Sequence, residues 1–310
     1  LIAMLRGMDM KVLISGATGF IGRHLVPRLL EHSHELVVWS RSESKARGLF
    51  GDSIKVITDL SQIDSGDHIE GIINLAGEGI ADKRWSDERK QLLLESRIET
   101  TAALVDLVKR LECNPDVLIS GSAIGYYGCR SDDLELNERG EVVDDYTHQL
   151  CKQWETTALK AQAFGVRVCL IRTGIVLGEG GALSKMLPAF RLGLGGPIAR
   201  GTQWMSWIHI DDQVEIINMM LSQLQFAGAY NLTAPGAVTN EEFTRELASA
   251  INRPAWFRVP AAMLELLLGD GSELLIRGQR VYPERLLEAN YKFAFPDLAS
   301  ALHQVLEPSD

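Results

Sequence analysis

The segment Lys11 to Gly22, KVLISGATGFIG, constrains this chain more than any other. Val12-Leu13-Ile14 is a short apolar run that reads as a buried strand. Glycines come next at 16, 19 and 22, leading into the helical spacing of Ile21, Leu25, Leu29 and Leu30. A strand, a glycine-rich turn and a helix in that order form a cradle for a pyrophosphate. Gly16 lets the chain turn sharply, Gly19 lets backbone N–H groups approach the phosphates, and Gly22 lets helix and strand pack closely. The helix N-terminus adds partial positive charge. The segment therefore predicts dinucleotide binding.

The chain has 310 residues, enough for a large core and for one domain plus a substantial lobe. Its net charge of −10 argues against nucleic acid or an anionic membrane as the main partner and leaves room for a local basic pocket. Cys113, Cys129, Cys151 and Cys169 show no CxxC pair and no metal-ligand spacing, so we expect no metal. Free thiols fit a reducing compartment, and the expected localisation is cytoplasmic. No apolar run approaches the ~20 residues needed to span a bilayer. Leu1 to Asp9 precede the first strand and lack the apolar core of a signal peptide. We read them as an upstream extension, with Met8 or Met10 as the natural start.

Glu35 to Trp39 forms a second strand, and the residues just after it select the cofactor. A carboxylate at its end would accept bonds from an NAD ribose 2′-OH, but the chain reads Ser40-Arg41-Ser42. A guanidinium and two hydroxyls suit a 2′-phosphate, so NADP is expected rather than NAD. Ile54 to Ile57 is a third strand, with Asp59 and Leu60 placed to meet an adenine. Gly71 to Leu75 is a fourth, leading to Ala76-Gly77-Glu78, small enough at first for backbone to touch the cofactor. A long helix from Ser86 to Leu111 carries Arg97 among apolar neighbours, where it pairs with a phosphate or bridges to a carboxylate. Val117 to Ser120 runs into GSAIGYYG, which would aim Ser122 and the tyrosines at a nicotinamide. Arg130 to Asp145 reads as a loop, Thr147 to Phe164 as a helix and Val166 to Ile171 as a sixth strand. Alternating strands and helices predict an α/β fold, a doubly wound parallel Rossmann sheet.

The pattern changes after Gly178. Gly201 to Asp212, GTQWMSWIHIDD, reads as an aromatic strand before a capped helix starting at Asp211 or Asp212. Ala229 to Leu232 returns to the sheet. Helices near 240–251, 261–268, 283–288 and 297–306 belong to a smaller lobe. We therefore expect a nucleotide-binding domain at 10–180, rejoined by 209–233, and a smaller C-terminal substrate lobe at 181–208 and 234–310.

GATGFIG, NLAG (Asn74 to Gly77), SGSAIGYYG and WIHIDD together resemble the extended short-chain dehydrogenase/reductase superfamily. SRIETT (Ser96 to Thr101), FRLGLGGPI (Phe190 to Ile198) and GQRVYP (Gly278 to Pro283) narrow the resemblance to the "epimerase family" of atypical members with a C-terminal segment of unknown function. The resemblance covers Met10 to about Leu306. It implies NADP held by Gly16, Thr18, Gly19, Phe20, Ile21 and Gly22 at the pyrophosphate and by Ser40 and Arg41 at the adenosine phosphate. Leu75, Ala76 and Gly77 would line the cleft, with Arg97 and Val176 as further contacts. The helices at 86–111 and 147–164 form a dimer surface in many relatives, so a homodimer is an option.

Active superfamily members pair a serine with a YxxxK motif, whose lysine lowers the tyrosine pKa for proton exchange. Ser122 matches the serine. The helix reads DYTHQLCKQWE, which puts Thr147 and Cys151 where tyrosine and lysine belong. Tyr126, Tyr127, His148 and His209 are the available substitutes, although each has a purely structural reading. The expected function is oxidoreduction or epimerisation of a small polar or sugar-nucleotide-like molecule, with Trp204, Trp207, Arg191 and Arg280 facing it. The alternative is an NADP(H)-sensing module without catalysis. Arg41→Ala should weaken NADPH by roughly tenfold or more while leaving NADH within about twofold, read by calorimetry. Equal losses would remove the phosphate assignment.

Overall fold

The computed structural model describes Asp9 to Glu307, so most of the expected N-terminal extension, Met8 included, lies outside the described residues. Seven parallel strands form one sheet: β1 (Lys11–Ser15), β2 (Glu35–Trp39), β3 (Lys55–Ile57), β4 (Gly71–Asn74), β5 (Val117–Ala123), β6 (Arg167–Thr173) and β7 (Gly228–Leu232). Their spatial order is β3-β2-β1-β4-β5-β6-β7. The order reverses between β1 and β4, so the loops leaving these strands diverge and open a crevice at the carboxyl edge.

Both sheet faces are covered, which is why the strands read as continuous apolar runs. Val12 and Ile14 of β1 face one way and pack with α1 (Phe20–Glu31) and α6 (Ile210–Ser222) through Leu25, Leu29, Ile216 and Ile217. Leu13 faces the other way, into a core with Ile72, Leu118 and, from α3 (Asp87–Arg110), Leu104 and Val108. A third cluster joins Phe190 of α5 (Gly181–Arg191), Phe243 and Leu247 of α7 (Asn240–Ala250) and Leu302 of the helix Leu298–Leu306 around Trp207.

Four local expectations are corrected. The chain between β2 and β3 folds as a helix, α2 (Glu43–Phe50), where none was expected. Only Ala46 of α2 is buried, so no apolar periodicity announces it, and the Ser42 side chain caps it by accepting from the Lys45 N–H. The stretch 201–212 is two short strands rather than one. Trp204–Met205 runs antiparallel to Val238–Thr239, and Trp207–His209 runs parallel to Ile175–Leu177. The helix after it starts at Ile210 rather than at Asp211 or Asp212, and His209 caps it. Within the expected loop 130–145, Glu135–Leu136 pairs with Arg280–Val281, joining the C-terminal segment to the loop after β5.

Asp212 instead anchors the C-terminal chain. It is buried and accepts from the Tyr291 hydroxyl at 2.7 Å, the Ala294 N–H at 2.8 Å and the Phe295 N–H at 3.1 Å. Asp212→Ala leaves three donors without a partner and should destabilise the protein by about 3 kcal/mol, measured as a lower urea midpoint at unchanged slope.

Candidate functional site

The cleft begins where β1 hands over to α1. Gly16 has φ +76°, and a Cβ there would lie 2.5 Å from the Leu75 carbonyl carbon and 2.7 Å from the Ala76 nitrogen. Gly22 meets the Ala17 carbonyl oxygen in the same way, at 2.4 Å. Any side chain at either position would push the β1 and β4 loops or the first helical turn apart. Gly19 is the exposed N-cap of α1 and has no side-chain cap, so the first N–H groups of the helix keep no side-chain partner at that end. Phe20 starts the helix and lies against Gly178, Gly180 and Gly181, while Ile21 packs on the core. Thr18 lends its carbonyl to Arg23 Nε at 3.1 Å. Val176 is 9% exposed in the short strand beside this edge.

Ser40 and Arg41 come after β2 along the same edge. The Ser40 hydroxyl donates to the Ser42 carbonyl at 3.2 Å, and the Arg41 side chain is 96% exposed. Asp59 closes a capping box on the short turn Leu60–Gln62, accepting from the Ser61 N–H at 2.7 Å; the Ser61 hydroxyl and then this N–H hold its carboxyl below the usual range. Leu60 is half-buried next to it. Beyond β4, Asn74 is fully buried and fixes the next turn: it accepts from Ser15 Oγ at 2.6 Å and from the Ala76 N–H at 3.3 Å, and donates to Thr101 Oγ1 at 2.8 Å. Arg97 donates to the carbonyls of Leu93 (2.9 Å) and Glu78 (3.0 Å) and lies under Gly77 and over the Trp154 ring. Both acceptors are backbone carbonyls, so these two bonds are not the carboxylate bridge that is one of the expectations for it. Arg97 clamps the loop that forms the cleft wall, and burial lowers its pKa.

At the centre of the edge lies a buried polar network. Ser122 Oγ donates to Glu155 Oε1 at 2.7 Å, and Arg172 grips both oxygens of that carboxylate, at 2.8 Å through Nε and 2.9 Å through Nη2. Arg172 Nη1 reaches the Tyr127 hydroxyl at 3.2 Å and the Glu138 carbonyl at 3.0 Å, and Tyr127 in turn donates to Asn231 Oδ1 at 2.7 Å. The Arg172 guanidinium carbon lies 3.4 Å from the centre of the Tyr126 ring. Tyr127 is fully buried, and burial pushes its hydroxyl up to about 12. Its position is that of a structural strut. Tyr126 is half-buried, and its hydroxyl has no hydrogen-bond partner among the described residues.

The helix α4 (Tyr146–Leu159) places Thr147, Cys151 and Glu155 in line on the face toward Gly125 and Ser122. Thr147 Oγ1 donates to Asp145, and burial pushes the Cys151 thiol up to about 12, so the two do not form a proton-exchanging pair. His148 Nδ1 is bonded to the Tyr126 carbonyl at 2.5 Å and is buried. His209 does not reach the cleft as a relay. It is fully buried, stacks on Phe295, accepts from the Asp211 N–H at 3.1 Å and pairs through Nε2 with Gln304 at 2.8 Å.

Of the four residues expected to face a substrate, Trp207 is instead a core residue that donates to the Gly236 carbonyl at 2.9 Å. Arg191 is exposed at the end of α5. Arg280 lies over the Trp204 ring at 4.8 Å, and Trp204 borders a cavity of about 230 Å³ shared with Arg130, Arg200 and Gln203. Sequence reasoning missed Glu78, Arg89, Glu155 and Arg172 as site residues. The dipeptide Trp154-Glu155 marked one of them, but pairing Glu155 with Arg172 required β5, β6 and α4 to be packed together.

A doubly wound sheet with an open glycine cradle at its topological switch point defines a dinucleotide-binding protein. Residues 12–233 match the NAD dependent epimerase/dehydratase family, and residues 259–305 match a domain of unknown function, DUF1731. The chain belongs to the NAD dependent epimerase/dehydratase family. It is 40% identical over 306 residues to the chloroplastic epimerase family protein SDR39U1 homolog of Arabidopsis thaliana, covering 96% of this chain and 87% of that protein. The crystal structure of human epimerase family protein SDR39U1 (isoform 2) with NADPH superposes with a TM-score of 0.86 at 33% identity, over 96% of this chain and 99% of that one. The nucleoside-diphosphate sugar epimerase from Corynebacterium glutamicum gives a TM-score of 0.77 at 30% identity, over 97% of this chain and 59% of that one. Among the described residues no helix is long and apolar enough to cross a membrane.

Burial depresses the His209 pKa below its usual 6.5, against the opposing pull of Asp211 and Gln304. The unfolded chain therefore takes up a proton near pH 6.5 that the folded chain refuses until lower pH. The stability His209 contributes is present above pH 6.5 and is lost as pH falls through its folded value. The urea midpoint should fall from pH 7.5 to pH 5.5, and His209→Asn, which keeps a capping oxygen, should show a smaller fall.

Proposed function

We propose that this chain binds NADP(H) in the cleft and uses it to oxidise, reduce or epimerise a small polar substrate, with sugar nucleotides as the leading class. The observation that carries the reading is the Gly16 to Leu75 contact beside the uncapped start of α1. The contact leaves no room for a side chain at Gly16, and beside it the N–H groups at the start of α1 have no side-chain cap, the arrangement that suits a pyrophosphate. Gly16, Gly19 and Gly22 with the flanking Thr18, Phe20 and Ile21 would hold the pyrophosphate. Ser40 and Arg41 would hold the 2′-phosphate, Asp59 and Leu60 would border the adenine, and Leu75, Ala76, Gly77 and Val176 would line the remaining wall. The NADPH bound by the human relative and the sugar-nucleotide activity in the name of the Corynebacterium relative support the two halves of the proposal.

When bound, NADPH supplies a hydride to a carbonyl carbon. The protein's part is then to place the carbonyl and to move one proton. In this reading the Tyr126 hydroxyl gives that proton to the substrate oxygen, since Tyr127 and His209 have their polar atoms committed elsewhere and His148 is buried with Nδ1 held at the Tyr126 carbonyl. Ser122 would orient the same oxygen by turning its hydroxyl from Glu155. The residues at 181–208 and 234–307 would cover the substrate, with the Trp204 and Arg280 pair at its outer side. The four free thiols support a cytoplasmic protein.

The sensing reading also has a specific observation behind it, because Thr147 and Cys151 replace the proton-exchanging pair and Ser122 is engaged by Glu155. One experiment separates the two. NADPH should bind the purified protein with measurable heat, and turnover on a panel of carbonyl compounds and sugar nucleotides should fall at least a hundredfold in Tyr126→Phe at unchanged NADPH affinity. Binding without turnover across the panel supports the sensor, and no heat with either redox form of NADP removes both readings.

A further inference from the structure

The end of β2 carries no carboxylate, but the fold brings one there from a different strand. Glu78, four residues beyond β4, has Oε1 3.7 Å from Arg41 Nη2. This placement is held from behind on every side. The Glu78 N–H donates to Ser96 Oγ at 3.2 Å, its carbonyl accepts from Arg97 at 3.0 Å, and its Oε2 faces Arg89 Nη1 at 3.4 Å. The Arg89 side chain is only 7% exposed and also donates to the Gly79 carbonyl at 2.6 Å, so a buried guanidinium anchors one carboxylate oxygen and leaves the other aimed at Arg41. Arg89 Nε is a buried N–H without a hydrogen-bond partner, which shows that this cluster has donor capacity its own residues do not use.

Arg41 contributes almost nothing to the stability of such a pair. Its side chain is 96% exposed, and exposed pairs are screened by water. The arrangement is better explained by a group that enters between the two. A 2′-phosphate would be drawn by Arg41 and repelled by Glu78, whereas a ribose 2′-OH would find in Glu78 the acceptor that an NAD-binding fold ordinarily takes from the end of its second strand.

We propose that Glu78 is a cofactor-specificity residue: a carboxylate fixed by Arg89 opposite Arg41, which penalises the 2′-phosphate, accepts the 2′-OH and so narrows the preference for NADPH over NADH. The proposal rests on the cleft holding a nicotinamide dinucleotide, as argued above. It goes beyond that reading, because Arg41 alone predicts a strongly NADP-selective protein and the Arg41 and Glu78 pair predicts one that also binds NADH.

The test is calorimetric titration of the intact chain with NADPH and with NADH, for the wild type, Glu78→Gln and Glu78→Ala, with thermal melting to check folding. Removal of the charge should tighten NADPH roughly three- to tenfold and should leave NADH unchanged or weaker, most in Glu78→Ala, which also lacks an acceptor. The gain for NADPH should shrink as ionic strength rises, because it is Coulombic. An NADPH to NADH affinity ratio unchanged within about twofold in both variants, or a weaker NADPH complex, overturns the proposal while leaving the nucleotide site standing. Absence of any binding by the wild type overturns the nucleotide site instead. Glu78 is a partly exposed loop residue, so at least one of the two variants is expected to melt like the wild type.

Discussion

The close approach of two backbones, at Gly16 and at Leu75 to Ala76, is the constraint that shapes the rest of the cleft. β1 and β4 are neighbours in the sheet, and their loops leave in opposite directions, yet here they touch with no room for a methyl group. The contact fixes where α1 begins and keeps its N–H groups facing the gap. It also sets where the β4 loop passes and therefore where Asn74, Glu78 and Arg97 can stand. Asn74 reinforces it by linking Ser15 of β1 to Thr101 of α3, which ties this edge of the sheet to the long helix.

A second rigid element lies one strand over. The Arg172 to Glu155 ion pair is buried on both sides, and a buried pair is stable only when its remaining hydrogen-bonding groups are satisfied. Ser122, Tyr127 and the Glu138 carbonyl do this, and Asn231 extends the network to the C-terminal chain through the Tyr282 carbonyl at 3.0 Å. Glu138 adds a further tie: its carboxylate, pushed up by burial, accepts from the N–H groups of Asn231 and Arg285. The network thus joins β5, β6, β7 and the segment carrying GQRVYP. It supports the surface on which Tyr126 lies, and it explains why the tyrosine pair divides into one strut and one free hydroxyl.

Much of the fold was legible because apolar runs and glycine spacings are local signals. The strands of the sheet, the long helix α3 and the helices of the C-terminal segment are read from period and length alone. The helix α2 was not, because it buries one alanine and depends on a serine cap. The strand pairings of 135–136 and 175–177 were not, because two or three residues carry no period. The histidine before Asp211-Asp212 was legible as a residue of interest, but its role depends on Phe295 and Gln304, which lie far along the chain.

By itself, the sequence determined the glycine cradle and the alternation that builds a doubly wound sheet; that Thr147 and Cys151 stand where a tyrosine and a lysine belong came from the resemblance. The first two are statements about neighbours within one turn or one strand, where chain chemistry suffices. Only the tertiary structure decided which polar groups meet: Glu78 with Arg41, Glu155 with Arg172, Tyr127 with Asn231. Those pairs span 17 to 104 positions of chain, and side chains so separated are brought together by the packing of the sheet, which no local pattern records.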